Sequence, residues 1–122
     1  MSQELLRTVL NRLHESTHDI LLSAVISVDG LPIVNILTRQ LDADRVATLS
    51  AATLTLCSRV SQLLSCGGLQ QTVVEGENGQ ILLMSINQDL SLVCTTKAGA
   101  RMGLALVQMR QAVQEIKQQM VA

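Results

Sequence analysis

Residues 24–34 read AVISVDGLPIV, and the architecture of the chain can be worked out from this segment in both directions. Apolar and polar side chains alternate over residues 20–28, which predicts a half-buried strand. Asp29-Gly30 follows, a pair favoured in type I′ turns because both central residues need a positive φ, so residues 31–37 are predicted to return as the antiparallel partner. Pro32 has no N–H to donate to a neighbouring strand, so this second strand is expected either to lie at an edge of the sheet or to begin with Pro32 as its first, unpaired residue.

The next segment, residues 42–66, is predicted to be a helix of about seven turns, with Asp42 as its N-cap and Gly67-Gly68 as its left-handed stop. Two stripes run along this helix. The first is apolar and is expected to cover the sheet: Val46, Leu49, Thr53, Leu56, Val60 and Leu63. The second consists mostly of small residues and, since few charges lie near it, is expected to face another chain: Ala47, Ala51, Leu54, Ser58 and Ser61.

Three more strands and two helices complete the predicted fold. Residues 69–75, 80–86 and 90–96 have strand character, and the turns between them are so short that neighbouring strands must be antiparallel. The first of the three is expected at the far edge of the sheet, where a second copy could pair with it. A short amphipathic helix ending near His14 precedes the hairpin, and a packing helix is predicted over residues 98–121. The chain is therefore predicted to form one α+β domain over residues 1–122.

Composition limits the function. Nine Lys and Arg against ten Asp and Glu give a formal charge of −1, so the chain lacks the basic field that holds nucleic acid. It contains no Phe, Trp or Tyr, which removes the aromatic platforms on which bases stack. Charged residues make up 16% of the chain, against about 25% in typical domains, whereas 48% are hydrophobic. This balance predicts an apolar surface that binds protein partners.

The cysteines and the apolar runs bear on the compartment. Cys57, Cys66 and Cys94 are odd in number and contain no Cys-x-x-Cys pair, so they are interpreted as buried, reduced thiols and not as a disulfide framework or zinc site. The first residues lack the pattern of a leader peptide, and no apolar run is long enough to span a membrane. These features favour the cytoplasm.

One catalytic pattern occurs, because residues 14–18 match the H-E-x-x-H motif of zinc hydrolases. In that motif two histidines one helical turn apart hold the zinc, and the glutamate lies beside the metal-bound water. Here the helix is expected to end before His18, and the sequence has no third histidine. Zinc-dependent hydrolysis by His14, Glu15 and His18 is kept as an alternative, and no catalytic, cofactor-binding or metal-binding residue is assigned.

The order helix, hairpin, long helix, three-stranded meander and helix, together with AVISVDGLPIV and the small-residue stripe, resembles the roadblock/dynein light chain domain family, and particularly its prokaryotic members. The resemblance implies a five-stranded antiparallel sheet with the long helix on one face and the first and last helices on the other. It also implies a homodimer. Because members of the family are scaffolds and regulators, it further implies a protein without enzymatic activity. Several of them act on small Ras-like GTPases, including a bacterial gliding-polarity protein that stimulates GTP hydrolysis by its partner.

The resemblance further implies that two copies meet through the strands at residues 69–75 and through one face of the long helix. The residues assigned to this dimer interface are Ala47, Ala51, Leu54, Ser58, Ser61, Thr72, Val73 and Val74. The residues assigned to a GTPase-facing surface are Arg39, Arg45 and Arg59, without an arginine finger among them. A small-molecule sensor on the related profilin-like sheet is a second alternative, disfavoured because no polar groups are expected to converge on a pocket.

Overall fold

The computed structural model describes residues 3–38 and 40–121. Its strands form one antiparallel sheet in the order β2-β1-β5-β4-β3, so β2 and β3 are the two edges. The predicted α+β class, the five-stranded sheet and both edge strands are confirmed. The elements, in chain order, are α1 (Gln3–Ser16), β1 (Ile20–Ser27), β2 (Pro32–Ile36), α2 (Ala43–Leu63), β3 (Gln71–Gly76), β4 (Gly79–Ser85), β5 (Leu90–Lys97) and α3 (Met102–Val121).

The sheet separates two hydrophobic layers, because successive side chains of a strand point to opposite faces. On one face, α1 and α3 pack against the central strands, and Val25, Leu82 and Leu92 are fully buried between them. On the other face lies α2, as predicted. The smaller cluster that holds α2 to the sheet consists of Ala24, Ile26, Ala47, Ala51, Leu83 and Val93.

The face that α2 turns toward the sheet is the reverse of the prediction. Ala47 is 0% exposed and Ala51 is 8% exposed, and both touch the sheet. Most of the stripe predicted to cover the sheet is exposed instead. Small residues are required on the inner side because the helix backbone lies close to β1 and β2. Ala47 and Ala51 are therefore wrongly assigned to a dimer interface, since they lie inside their own subunit.

The turn of the first hairpin also differs from the prediction. Gly30 has a φ of +85°, but Asp29 does not have a positive φ, which excludes a type I′ turn. Instead, the Gly30 N–H donates to the carbonyl of Ser27 at 3.0 Å, and the Ser27 N–H donates to the carbonyl of Leu31 at 2.9 Å. The register of β1 and β2 then shifts after Val25. A longer turn followed by a bulge needs only one left-handed residue, and glycine provides it.

Local backbone geometry sets the ends of α2. Asp42 is the N-cap as predicted, and its side chain accepts a hydrogen bond from the N–H of Asp44 at 3.0 Å. The helix ends at Leu63, earlier than expected, because Ser65 already adopts a left-handed φ of 62° before Gly67 does so at 83°.

The start of α3 is later than predicted. The helix begins at Met102 and not at Ala98, because Gly99 has a φ of 76° and the Ala100 N–H donates to the Lys97 carbonyl at 3.2 Å. Apolar residues at helical spacing form a stripe on α3 that supplies the core. The most buried side chains of the α3 stripe are Met109, Val113 and Ile116.

Within residues 3–38 and 40–121, no helix is both long and apolar enough to cross a bilayer.

Candidate protein interaction site

The outer side of α2 carries four large apolar side chains, which we call the leucine surface. They follow one another in steps of seven, four and three, so they form a single stripe on a helix of 3.6 residues per turn. This stripe lies opposite the alanines that contact the sheet. Contiguous apolar exposure of this kind marks an interaction site. The leucine surface consists of Leu49 (59% exposed), Leu56 (62%), Val60 (54%) and Leu63 (81%).

The leucine surface continues into an apolar groove of about 350 Å³ at the C-terminal end of α2. Cys66 lies there and is exposed, whereas Cys57 is half-buried, so only Cys94 fits the prediction of a buried thiol. Burial raises the pKa of the Cys94 thiol well above its ordinary value. The groove is lined by Leu56, Cys57, Val60, Ser61, Leu64 and Cys66.

The edge strand β3 has unpaired backbone groups on its outer side. In an antiparallel pair, residues alternate between those bonded to the neighbouring strand and those facing away from it. The Ser85 N–H of β4 donates to the carbonyl of Gln70, which fixes the phase of this alternation. The N–H and C=O groups of Gln71, Val73 and Glu75 therefore point away from β4 and are free to pair with another strand.

The opposite edge of the sheet is protected. Pro32 removes a donor from β2, and two side chains of α1 occupy acceptors of the same strand. Gln3 Nε2 donates to the carbonyl of Ile33 at 2.9 Å, and Arg7 donates to the carbonyl of Asn35 at 3.3 Å. The two edges of the sheet therefore differ, and β3 is the one with its backbone open to pairing.

The other residues assigned to the dimer interface occupy three environments. Thr72 and Val74 lie on the α2 side of the sheet, because they pair in register with Leu83 and Ile81. Val73 lies on the opposite side, and both valines are exposed. The structure thus places the β3 residues at an open edge of the sheet, with Thr72 and Val74 on the face that α2 covers elsewhere. The α2 residues that were assigned to the interface and are half-buried are Leu54, Ser58 and Ser61. Of these, Ser61 lines the apolar groove.

Sequence reasoning missed the role of the leucine surface because its period is the same as that of the small-residue stripe. The signal that distinguishes the two stripes is side-chain size. A helix lying close to a sheet needs small residues on the inner side, and the large residues are then left outside.

Two of the arginines predicted to face a GTPase are on the exposed part of α2. Arg45 lies near the start of the helix and Arg59 near its end, and both are exposed. Neither forms an ion pair within the part of the chain that the structure describes. Arg39 lies outside the described residues.

The H-E-x-x-H segment does not have the geometry of a zinc site. α1 ends at Ser16, so His14 and His18 do not lie on one continuous helix. His14 Nε2 is 2.8 Å from the hydroxyl oxygen of Ser23, and burial lowers the pKa of His14 below its ordinary 6.5. Among residues 3–38 and 40–121, no three His, Cys, Asp or Glu side chains are grouped to hold a metal ion.

Sequence and structural similarity identify the family. An uncharacterised protein of Methanocaldococcus jannaschii is 34% identical over 95 residues, which are 78% of this chain and 80% of that protein. Myxococcus xanthus MglB has a similar fold, with a TM-score of 0.89 at 16% identity over 96% of this chain and 88% of that one. An MglB with a tetrameric arrangement gives 0.86 at 18% identity over 95% and 88%. Residues 6–96 match the model of the Roadblock/LC7 domain, and the chain belongs to this family.

Proposed function

We propose that this chain is a cytoplasmic, homodimeric adaptor that binds and regulates a small Ras-like GTPase without catalysing a reaction itself. Membership of the Roadblock/LC7 family supports a regulatory adaptor. The observation that carries the proposal is the exposed leucine surface of α2, on a subunit whose edge strand β3 has outward-facing backbone groups. Together these two features offer a second copy both apolar area and backbone hydrogen bonds.

The apolar part of this interface is large enough to matter energetically. Fully burying one Leu or Val side chain stabilises a complex by about 1.5–3 kcal/mol. Four such side chains per subunit therefore offset the roughly 4–15 kcal/mol of motional freedom lost on association. Pairing of β3 with its symmetry copy would add hydrogen bonds through Gln71, Val73 and Glu75 and would fix the register. An MglB of similar fold forms a tetrameric arrangement, which agrees with self-association through this fold.

Substitution on the leucine surface tests the dimer. Leu56→Arg introduces a charge where Leu56 is 62% exposed in the single subunit, so the fold should be unaffected. Gln62→Arg adds the same charge to an exposed position of α2 outside the leucine surface and serves as the matched control. Sedimentation equilibrium at micromolar concentration should show dimers for wild type and Gln62→Arg, and monomers for Leu56→Arg. A monomeric wild type would refute the homodimer.

The proposed GTPase partner rests on the family's regulators and on the arginines of α2. Arg45 and Arg59 are free to approach an acidic surface because neither is engaged in an ion pair within residues 3–38 and 40–121. Arg39 remains a predicted third contact. A guanidinium can bind a partner carboxylate through two parallel hydrogen bonds, which favours arginine at such a site.

Calorimetric titration tests this partner. Each small Ras-like GTPase encoded in the same genome would be loaded with GDP or with a non-hydrolysable GTP analogue and titrated with the chain. We expect saturable binding that prefers one nucleotide state and is weakened about tenfold or more in an Arg45→Ala/Arg59→Ala variant. Lys117→Ala, on the opposite side of the sheet, is the control. Failure of every such GTPase to bind in both nucleotide states would refute the proposal, and hydrolysis rates of a bound pair would separate activation from tethering.

A further inference from the structure

A second cavity lies between α2 and one end of the sheet. Its volume is about 320 Å³, within the range of small-ligand pockets. On the helical wheel, Arg59 lies about 100° from Val60, because each residue of an α-helix advances by about 100°. The cavity is lined by residues of one subunit, and none of the four residues of the leucine surface is among them. Its principal lining residues are Ser27, Leu54, Ser58, Arg59, Leu90 and Ser91.

The cavity is a consequence of how α2 crosses the sheet. The helix packs mainly on β1 and β2, where Ala51 is buried. Toward its C-terminal end it passes over β5 and the turn between β4 and β5, where it leaves a gap. Leu54 and Ser58 are accordingly only half-buried. The walls of the gap come from α2, from β1 and β5, and from the turn between β4 and β5.

The lining of the cavity favours a negatively charged ligand. No Asp or Glu lies among its lining residues, whereas the Arg59 guanidinium does and has no ion-pair partner within the described ranges. The hydroxyl of Ser27 accepts the Leu31 N–H at 3.0 Å, which leaves its hydrogen free to donate. The side chains of Ser58 and Ser91 make no hydrogen bond in the part of the chain that the structure describes.

We propose that this cavity binds a small organic monocarboxylate, with its carboxylate at Arg59 and the serine hydroxyls and its alkyl chain against Leu54 and Leu90. The amphipathic lining selects for both parts of such a molecule, because the guanidinium needs an anion and the leucines exclude water. The sequence disfavours a small-molecule sensor, because it predicts no convergence of polar groups on a pocket. Three hydroxyls and a guanidinium do converge here, from α2, β1 and β5.

Titration of ¹⁵N-labelled protein with sodium hexanoate tests the site, and hexanamide serves as an uncharged probe of the same shape. Saturable amide shifts are expected at Ser58, Leu90 and Ser91. Affinity should be about tenfold lower for hexanamide and for hexanoate with Arg59→Gln, since each removes one charge from the contact. Lys117→Gln removes a charge on the other face of the sheet and should leave the affinity unchanged.

Two further variants keep the test decisive. Ser58→Leu fills the cavity and should abolish the shifts while Arg59 stays in place. The leucine-surface variant Leu56→Arg should bind hexanoate as wild type does, because the site lies within one subunit, so the outcome is separable from that of the dimer. The absence of saturable shifts at millimolar hexanoate, equal binding of hexanamide, or loss of binding in folded Leu56→Arg would each overturn the proposal.

Discussion

Gly30 lies against Thr48 so closely that a Cβ atom on Gly30 would stand 3.2 Å from the Cα of Thr48. The Thr48 hydroxyl also donates to the carbonyl of Gly30 at 3.4 Å. The tip of the first hairpin therefore contacts the backbone of α2 directly. This contact holds the helix close to the sheet, and that closeness is why alanines and not leucines occupy its inner side.

Replacing Gly30 with alanine should destabilise the fold by two effects that can be separated. The left-handed φ of +85° costs a residue with a Cβ roughly 1–2 kcal/mol, and the contact with Thr48 adds to this. Gly67 has almost the same φ of +83° but nothing within 4 Å of the added Cβ. Urea unfolding should show a loss of roughly 1 kcal/mol for Gly67→Ala and of 2–3 kcal/mol for Gly30→Ala. Equal losses would mean that the contact with α2 carries no energy.

The orientation of α2 can be tested with two adjacent alanines. Ala51 is buried against the sheet, whereas Ala52 is exposed on the other side of the helix. Ala51→Leu should overpack the inner side and lower the free energy of unfolding by about 1–3 kcal/mol. Ala52→Leu should change it by less than about 0.5 kcal/mol, as surface substitutions do. Thermal or urea unfolding of the two variants measures both losses. A larger loss for Ala52→Leu than for Ala51→Leu would mean that α2 has the orientation predicted from sequence.

Local chemistry determines some features of this fold and leaves others to contacts between distant segments. Pro32 has no N–H for a ladder, so it fits an edge strand or the first residue of a strand, and in β2 it has both positions. Local sequence does not decide the orientation of α2 in the same way, because both of its stripes repeat with the helical period. Only the distance between helix and sheet decides between them, and the Gly30–Thr48 contact that sets this distance joins separate segments.

The candidate sites divide in the same way. The open edge of β3 follows from its position at the end of a meander, and it was predicted. The cavity beside Arg59 was not, because Ser27, Ser58 and Ser91 come from three elements that only the folded topology brings together.

Proline substitution in β3 should distinguish its outer from its inner backbone groups. The alternation of the β3–β4 ladder directs the N–H of Val73 outward and that of Val74 toward β4. Val73→Pro should therefore abolish dimerisation in sedimentation experiments while the monomer keeps its stability to within about 1 kcal/mol. Val74→Pro removes a ladder hydrogen bond and should lower the unfolding free energy by about 3 kcal/mol. A dimeric Val73→Pro variant would show that β3 does not pair.

His14 should make the fold less stable as the pH falls below neutrality. Burial lowers the pKa of His14 in the folded protein below 6.5, so the unfolded chain takes up the proton first. His14 lies 2.8 Å from the Ser23 hydroxyl. The stability that depends on neutral His14 is complete above pH 6.5, the ordinary pKa that applies to the unfolded chain, and is lost as the pH falls from there through the lower pKa of the folded protein. Asp19 does not contribute in this window. Although burial raises its pKa, the hydrogen bond from the Arg101 N–H and the nearby Lys97 lower the pKa below 3.8 overall.

Urea unfolding at about pH 7 and about pH 5 measures this effect, with a limit of about 1.4 kcal/mol per pH unit for one group. His14→Gln keeps a hydrogen-bonding side chain that does not titrate, so its stability should vary less between the two pH values than that of wild type. His18→Gln, just beyond α1 and exposed, makes the same substitution outside the contact with Ser23 and is the matched control. An unchanged pH dependence in His14→Gln would show that the half-buried contact of His14 with Ser23 does not govern acid sensitivity.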